Sequence, residues 1–198
     1  MTAGAATNSE KTMQATGKNV LILATHGFEQ SELEVPRDKL KAAGATVHVV
    51  SLDKGEITGW DKKDWGRPVK VDKTIDEVKA ADYDAIVLPG GQINPDLLRV
   101  NDKALKLIKD FFDQKKVVAA VCHAPWLLIE TGIIRGRKAT SYKSIKTDVI
   151  NAGGAWEDSP VVVDQGIITS RNPGDLDAFS AKIIEEMAEG RHIQRSAA

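Results

Sequence analysis

Apolar and polar residues alternate along this chain in two rhythms. Short runs such as Val20-Leu21-Ile22-Leu23-Ala24, Ala85-Ile86-Val87-Leu88 and Val117-Val118-Ala119-Ala120-Val121 are apolar throughout and end in turn residues. Runs of that length, rich in aliphatic residues, predict strands buried on both faces of a parallel sheet. Between them the spacing is helical. Leu33, Pro36, Leu40 and Ala43 mark a helix over 29–43 with Gly44 as its stop, and Pro36 either bends it or delays its start. Leu105, Ile108, Phe111 and Phe112 mark a helix over 103–113, a shorter one follows near 126–130, and 175–190 closes the pattern as an amphipathic helix. Residues 46–52 read as a second strand, 54–72 as a half-exposed hairpin excursion, and 161–170 as a hairpin turning at Asp164-Gln165-Gly166. Strands that alternate with helices predict an open α/β sandwich, a mostly parallel sheet with helices on both faces.

Composition narrows the setting. The 198 residues suit one domain, placed at 18–190, with a polar tail over 1–17 that is expected to be disordered and a short tail over 191–198. Lys plus Arg (27) balances Asp plus Glu (28), which argues against nucleic acid or an anionic membrane as the main partner. One cysteine cannot form an internal disulfide, and neither a signal-peptide core nor a long apolar segment is seen, so a cytoplasmic location is expected. His26, His48 and His192 have no metal-ligand spacing, so neither metal nor other cofactor is expected, and His48 reads as structural.

That one cysteine changes the picture most. Cys122 ends a buried run and is followed by His123-Ala124-Pro125, where helical spacing resumes. A thiol in a strand-to-helix turn faces the edge of the sheet where α/β proteins bind ligands, and a helix N-terminus favours the thiolate. The plainer reading of a lone cysteine is a small buried hydrophobe. Two other turns are expected at the same edge: the segment after Ala24, with His26 as a possible substrate contact, and Pro89-Gly90-Gly91. Glycines let backbone amides approach a ligand, so Gly90, Gly91 and the amide of His123 are candidate oxyanion donors.

Three segments carry a family resemblance: Ala24-Thr25-His26-Gly27-Phe28-Glu29-Gln30-Ser31-Glu32, Leu88-Pro89-Gly90-Gly91 and Val121-Cys122-His123-Ala124-Pro125. Together with Ile134 to Ser141, Asp148 to Gly153 and Val161 to Pro173, they resemble the ThiJ/PfpI family, in its PfpI branch, of the class I glutamine amidotransferase-like superfamily. The resemblance implies a flavodoxin-like three-layer sandwich with Cys122 as nucleophile at a strained elbow, His123 as its catalytic neighbour and Glu32 as the buried acid that contacts the thiol. It implies a third acid shortly after the Gly-Gly turn, supplied across a subunit interface of a homodimer or larger homo-oligomer. Asp96 stands there, one residue further from Gly91 than in some relatives. The implied function is a cysteine-dependent stress-response hydrolase of the intracellular-protease type acting on peptides. Alternatives are a glyoxalase or deglycase acting on methylglyoxal or its adducts, and an oxidation sensor or chaperone using Cys122. Ala124 replaces the family's usual glycine and is expected to narrow the pocket or restrict the elbow. Trp126 is either a wall that limits substrate size or a core residue, and Trp60 and Trp65 suggest a subunit contact.

Overall fold

The computed structural model describes residues 15–193. Its elements run β1 (Asn19–Leu23), α1 (Gln30–Ala42), β2 (Thr46–Ser51), β3 (Glu56–Asp61), β4 (Asp64–Lys70), β5 (Lys73–Thr74), β6 (Ala85–Leu88), α2 (Ile93–Leu98) and α3 (Asp102–Asp113). They continue with β7 (Val117–Val121), α4 (Pro125–Glu130), β8 (Lys138–Ala139), α5 (Lys146–Asn151), β9 (Ala155–Trp156), β10 (Val161–Asp164), β11 (Ile167–Ser170) and α6 (Leu176–Glu189).

Seven strands form the main sheet in the order β10-β11-β7-β6-β1-β2-β5. All neighbours in it are parallel except β10 and β11, which form the antiparallel hairpin expected from the sequence. Side chains alternate between two cores. Val20, Ile22 and Val87 face one core with Leu33 and Leu40 of α1 and Phe179 and Ile183 of α6. Leu21, Leu23 and Ile86 face the other with Phe111 and Phe112 of α3 and Leu127 and Leu128 of α4. Burial on both faces explains why these strands read as unbroken apolar runs.

The chain runs outward from β1 through β2 to β5, then returns to the other side of β1 with β6, β7 and β11. The strand order therefore switches between β1 and β6, which opens a crevice beyond their carboxyl ends.

Pro36 lies inside α1 on its buried face and does not delay its start. It removes only the hydrogen bond that its missing N–H would give the carbonyl of Glu32. Of the expected N-terminal tail, 1–14 lies outside the described residues; at its end Ala15 is fully buried and its N–H donates to the carbonyl of Ala43. Residues 194–198 also lie outside them. Among the described residues no helix is long and apolar enough to cross a membrane.

Candidate active site

Cys122 follows β7 in the left-handed conformation, at φ 64°. A side chain at that φ is strained by about 1–2 kcal/mol, and the backbone is pinned on both sides. The Cys122 N–H donates to the carbonyl of Ser170, the last residue of β11 (3.0 Å), and its carbonyl accepts from the Tyr142 N–H (2.8 Å). The turn thus directs the thiol up from the sheet edge, where it is only 5% exposed.

Glu32 reaches this point from the first turn of α1 and is fully buried. Its Oε2 accepts the Gly90 N–H at 2.9 Å, and its carboxyl contacts the Cys122 thiol. Oε1 is buried without a hydrogen-bond partner among the described residues. Gly90 must be glycine here: a Cβ would stand 2.6 Å from Glu32 Oε2 and 2.7 Å from Cys122 Cβ. The same packing corrects one expectation. The Gly90 amide is consumed by Glu32 and is not free for an oxyanion, whereas the Gly91 amide lies against both the carboxyl and the sulfur and that of His123 faces the sulfur.

Burial holds the Glu32 carboxyl up to about 8, with the nearby Glu29 charge adding to the effect and the bonds from the thiol and backbone opposing it. Glu32 therefore keeps its proton at neutral pH and can donate it to sulfur. Burial also pushes the Cys122 thiol up, and an ionised Glu32 would push it further, against the pull of the Gly91 and His123 amides. Burial thus opposes the thiolate expected from the helix N-terminus. α4 has only six residues, and desolvation outweighs its dipole.

His123 stands beside the thiol. Its Nδ1 lies 3.1 Å from Cys122 Sγ, and its Nε2 lies 3.1 Å from Ser144 Oγ. The ring is stacked on Tyr142 (4.7 Å between centroids, 25°) and met edge-on by Trp126 at 5.2 Å. Burial lowers its affinity for protons, which leaves a neutral imidazole able to take the thiol proton.

A cleft of about 500 Å³ opens over the pair, with Gly27, Trp60, Gly91, Ile93, Tyr142 and Pro173 among its walls. Trp60 arrives on the β3–β4 hairpin, which is tied to the turn after β1 by the Gly27 N–H to Thr58 carbonyl bond and the Trp60 N–H to Phe28 carbonyl bond. Trp65 packs edge-on against Trp60 and is half exposed.

Not every expected residue joins the cleft. His26 is exposed and absent from its walls; its Nδ1 accepts the Thr58 N–H at 3.1 Å, a turn-to-hairpin tie in place of a substrate contact. Asp96 lies in the first turn of α2, exposed and also outside the cleft of its own chain. Ala124 has φ −61° and its methyl is buried in the α3/α4 core, so it neither narrows the pocket nor strains the elbow. Trp126 stands behind His123, donates Nε1–H to Asp148 at 2.8 Å and carries Arg99 at 4.9 Å from its ring; it backs the base and does not line the cleft.

Three contributors escaped sequence reasoning. Tyr142 and Ser144 come from a single helical turn over Lys143–Ile145 and the residue before it, too short for a periodicity to mark them. Asn94 is fully buried, accepts the Thr25 N–H at 2.7 Å and donates to the Pro89 carbonyl at 2.8 Å, which ties two of the three turns together. Its only sequence signal is the Asn-Pro step, an ordinary turn marker.

Comparison with known proteins agrees with this fold. The model of the DJ-1/PfpI family matches residues 18–186. "Deglycase PfpI" of Pyrococcus furiosus is 44% identical over 166 residues, 84% of this chain and 97% of that protein. "Putative cysteine protease YraA" of Bacillus subtilis is 43% identical over 164 residues, 82% of this chain and 94% of that one. The crystal structure of Drosophila melanogaster DJ-1beta superposes with a TM-score of 0.78 at 32% identity, covering 89% of this chain and 94% of that one.

Proposed function

The chain belongs to the DJ-1/PfpI family, and from that premise we propose that it is a cytoplasmic cysteine-dependent hydrolase that acts on small carbonyl adducts, as a deglycase does. Its relatives carry both deglycase and cysteine-protease names, and both need a cysteine nucleophile. One observation favours the adduct. Cys122 is only 5% exposed where it lines the cleft. A reacting group reaches it on a slender arm, such as the end of a modified side chain, more readily than as an extended peptide backbone. The same burial disfavours resting oxidation by peroxide, because the thiolate is the reactive form.

In this reading His123 Nδ1 takes the Cys122 proton and sulfur adds to the carbonyl carbon. The amides of Gly91 and His123 hold the oxyanion, and protonated Glu32 donates to the sulfur while it carries charge. The chain assembles with itself through the exposed stripe Ile93, Leu97 and Val100, which starts at the rim of the cleft and runs beside Asp96. Asp96 then reaches the cleft of a neighbouring copy.

The test is turnover of methylglyoxal adducts and of a peptide substrate by one preparation and its Cys122→Ser variant. Adduct turnover should fall by about 10³-fold or more in the variant. Peptide turnover alone, lost in the variant, would move the assignment to a protease; turnover that survives the substitution would end the cysteine reading.

A further inference from the structure

A base that takes a proton at one ring nitrogen must carry hydrogen on the other, and that second nitrogen needs a partner to hold the tautomer. For His123 the partner lies in the same chain. Ser144 Oγ stands 3.1 Å from Nε2, at the start of a short helical stretch that begins with Lys143–Ile145 and runs into α5. Its neighbour Tyr142 stacks on the same ring and donates its N–H to the Cys122 carbonyl, so one segment grips both the base and the elbow. Among the described residues Asp96 makes no such contact.

On the reading that Cys122 and His123 react, we propose that Ser144 is the positioning residue of His123. Its hydroxyl accepts the Nε2–H, which leaves the Nδ1 lone pair directed at the thiol. When the Cys122 proton moves to Nδ1, the imidazolium keeps its Nε2–H on Ser144 Oγ. As the new carbon–sulfur bond forms, the carbonyl π pair moves to oxygen and takes up the Nδ1 proton. Atoms and charge balance with no further reactant. A hydroxyl supports the imidazolium less than a carboxylate does, which suits a base that must return its proton. The titratable groups around the ring are few: Cys122 and Tyr142 touch it, Glu32 lies across the thiol, and Asp148 and Arg99 stand behind Trp126.

The experiment measures alkylation of Cys122 by iodoacetamide against pH in the full chain, for wild type, Ser144→Ala, Ser144→Thr and Asp96→Asn. Ser144 is exposed, so neither substitution threatens the core. The alanine variant should react about five-fold more slowly at pH 7, the worth of one net hydrogen bond, with its rate rising at higher pH than in wild type. Threonine keeps the hydroxyl and should restore both rate and profile. An alanine profile equal to wild type, or a threonine variant as impaired as alanine, would overturn the proposal, as would an Asp96→Asn variant that alone reproduces the shift. Alkylation needs no substrate, so a failed turnover assay leaves this result readable and the two readings fail separately.

Discussion

At each end of the parallel strands stands a buried ionisable side chain, Lys116 at one and Glu32 at the other, and the two are treated in opposite ways. At the amino end, Lys116 is 5% exposed and its ammonium donates to the carbonyls of Ala80, Ala81 and Tyr83. Three donors meet three acceptors, and nothing is left for chemistry. At the carboxyl end, Glu32 has one oxygen on the Gly90 amide and the other without a hydrogen-bond partner among the described residues, and its carboxyl meets the thiol. Both groups are pushed toward neutrality by burial. The difference lies in what remains unsatisfied: a saturated group holds a loop in place, whereas an incompletely saturated one is kept protonated beside a nucleophile and can respond when that nucleophile ionises.

The strongest way to break this contrast is to remove the saturated group. Lys116→Met should cost about 2–4 kcal/mol in denaturant unfolding, because three buried carbonyls lose their donor. The rate of Cys122 alkylation should not change. A variant of full stability would mean that the lysine is dispensable there; a slowed thiol would mean that the two ends are coupled.

Glu32→Gln tests the other end and should move stability the opposite way. The unfolded chain releases this proton near 4.5, and the folded chain holds it to about 8. A raised carboxyl contributes stability that is complete below 4.5 and is lost as pH climbs through 8. Glutamine cannot ionise, so the variant should gain on wild type by about 2 kcal/mol at pH 7, a figure discounted from the full shift for coupling to the thiol. The gap should close below pH 5 and grow toward pH 8. Melting curves at three pH values suffice, and a gap that stays flat would show that Glu32 is ionised in the folded chain.

The same contrast separates what could be read from the sequence from what could not. Strands β1, β6 and β7 were legible because burial on both faces leaves an apolar run, and α3 because Leu105, Ile108, Phe111 and Phe112 repeat at its period. The six-residue helix α2 was not, since it is short and contains Pro95. Cys122 was visible as a strand-end thiol, but Glu32 and His123 acquired roles only through resemblance. The function of Gly90 was misread because local pattern shows that a glycine can approach a ligand and not which side chain has already taken its amide. The cost of burying a thiolate was hidden for a similar reason. A helix N-terminus can be seen in sequence, while desolvation comes from residues scattered along the whole chain.

The finest comparison lies in β7 itself, which a left-handed non-glycine residue brackets at each end: Lys115 at φ 62° and Cys122 at φ 64°. Lys115 closes α3, where its N–H donates to the Phe112 carbonyl and that of Lys116 to the Phe111 carbonyl, a place that glycine commonly fills. Glycine relieves the left-handed strain but adds freedom to the unfolded chain, so the net gain at either site should be about 0.5–1 kcal/mol. Lys115→Gly should therefore melt above wild type and keep its thiol reactivity. At the other end Cys122→Gly should melt above Cys122→Ala by a similar margin, both being inactive. If alanine proves as stable as glycine at 122, the elbow is unstrained, and its geometry must then come from the Ser170 and Tyr142 hydrogen bonds alone.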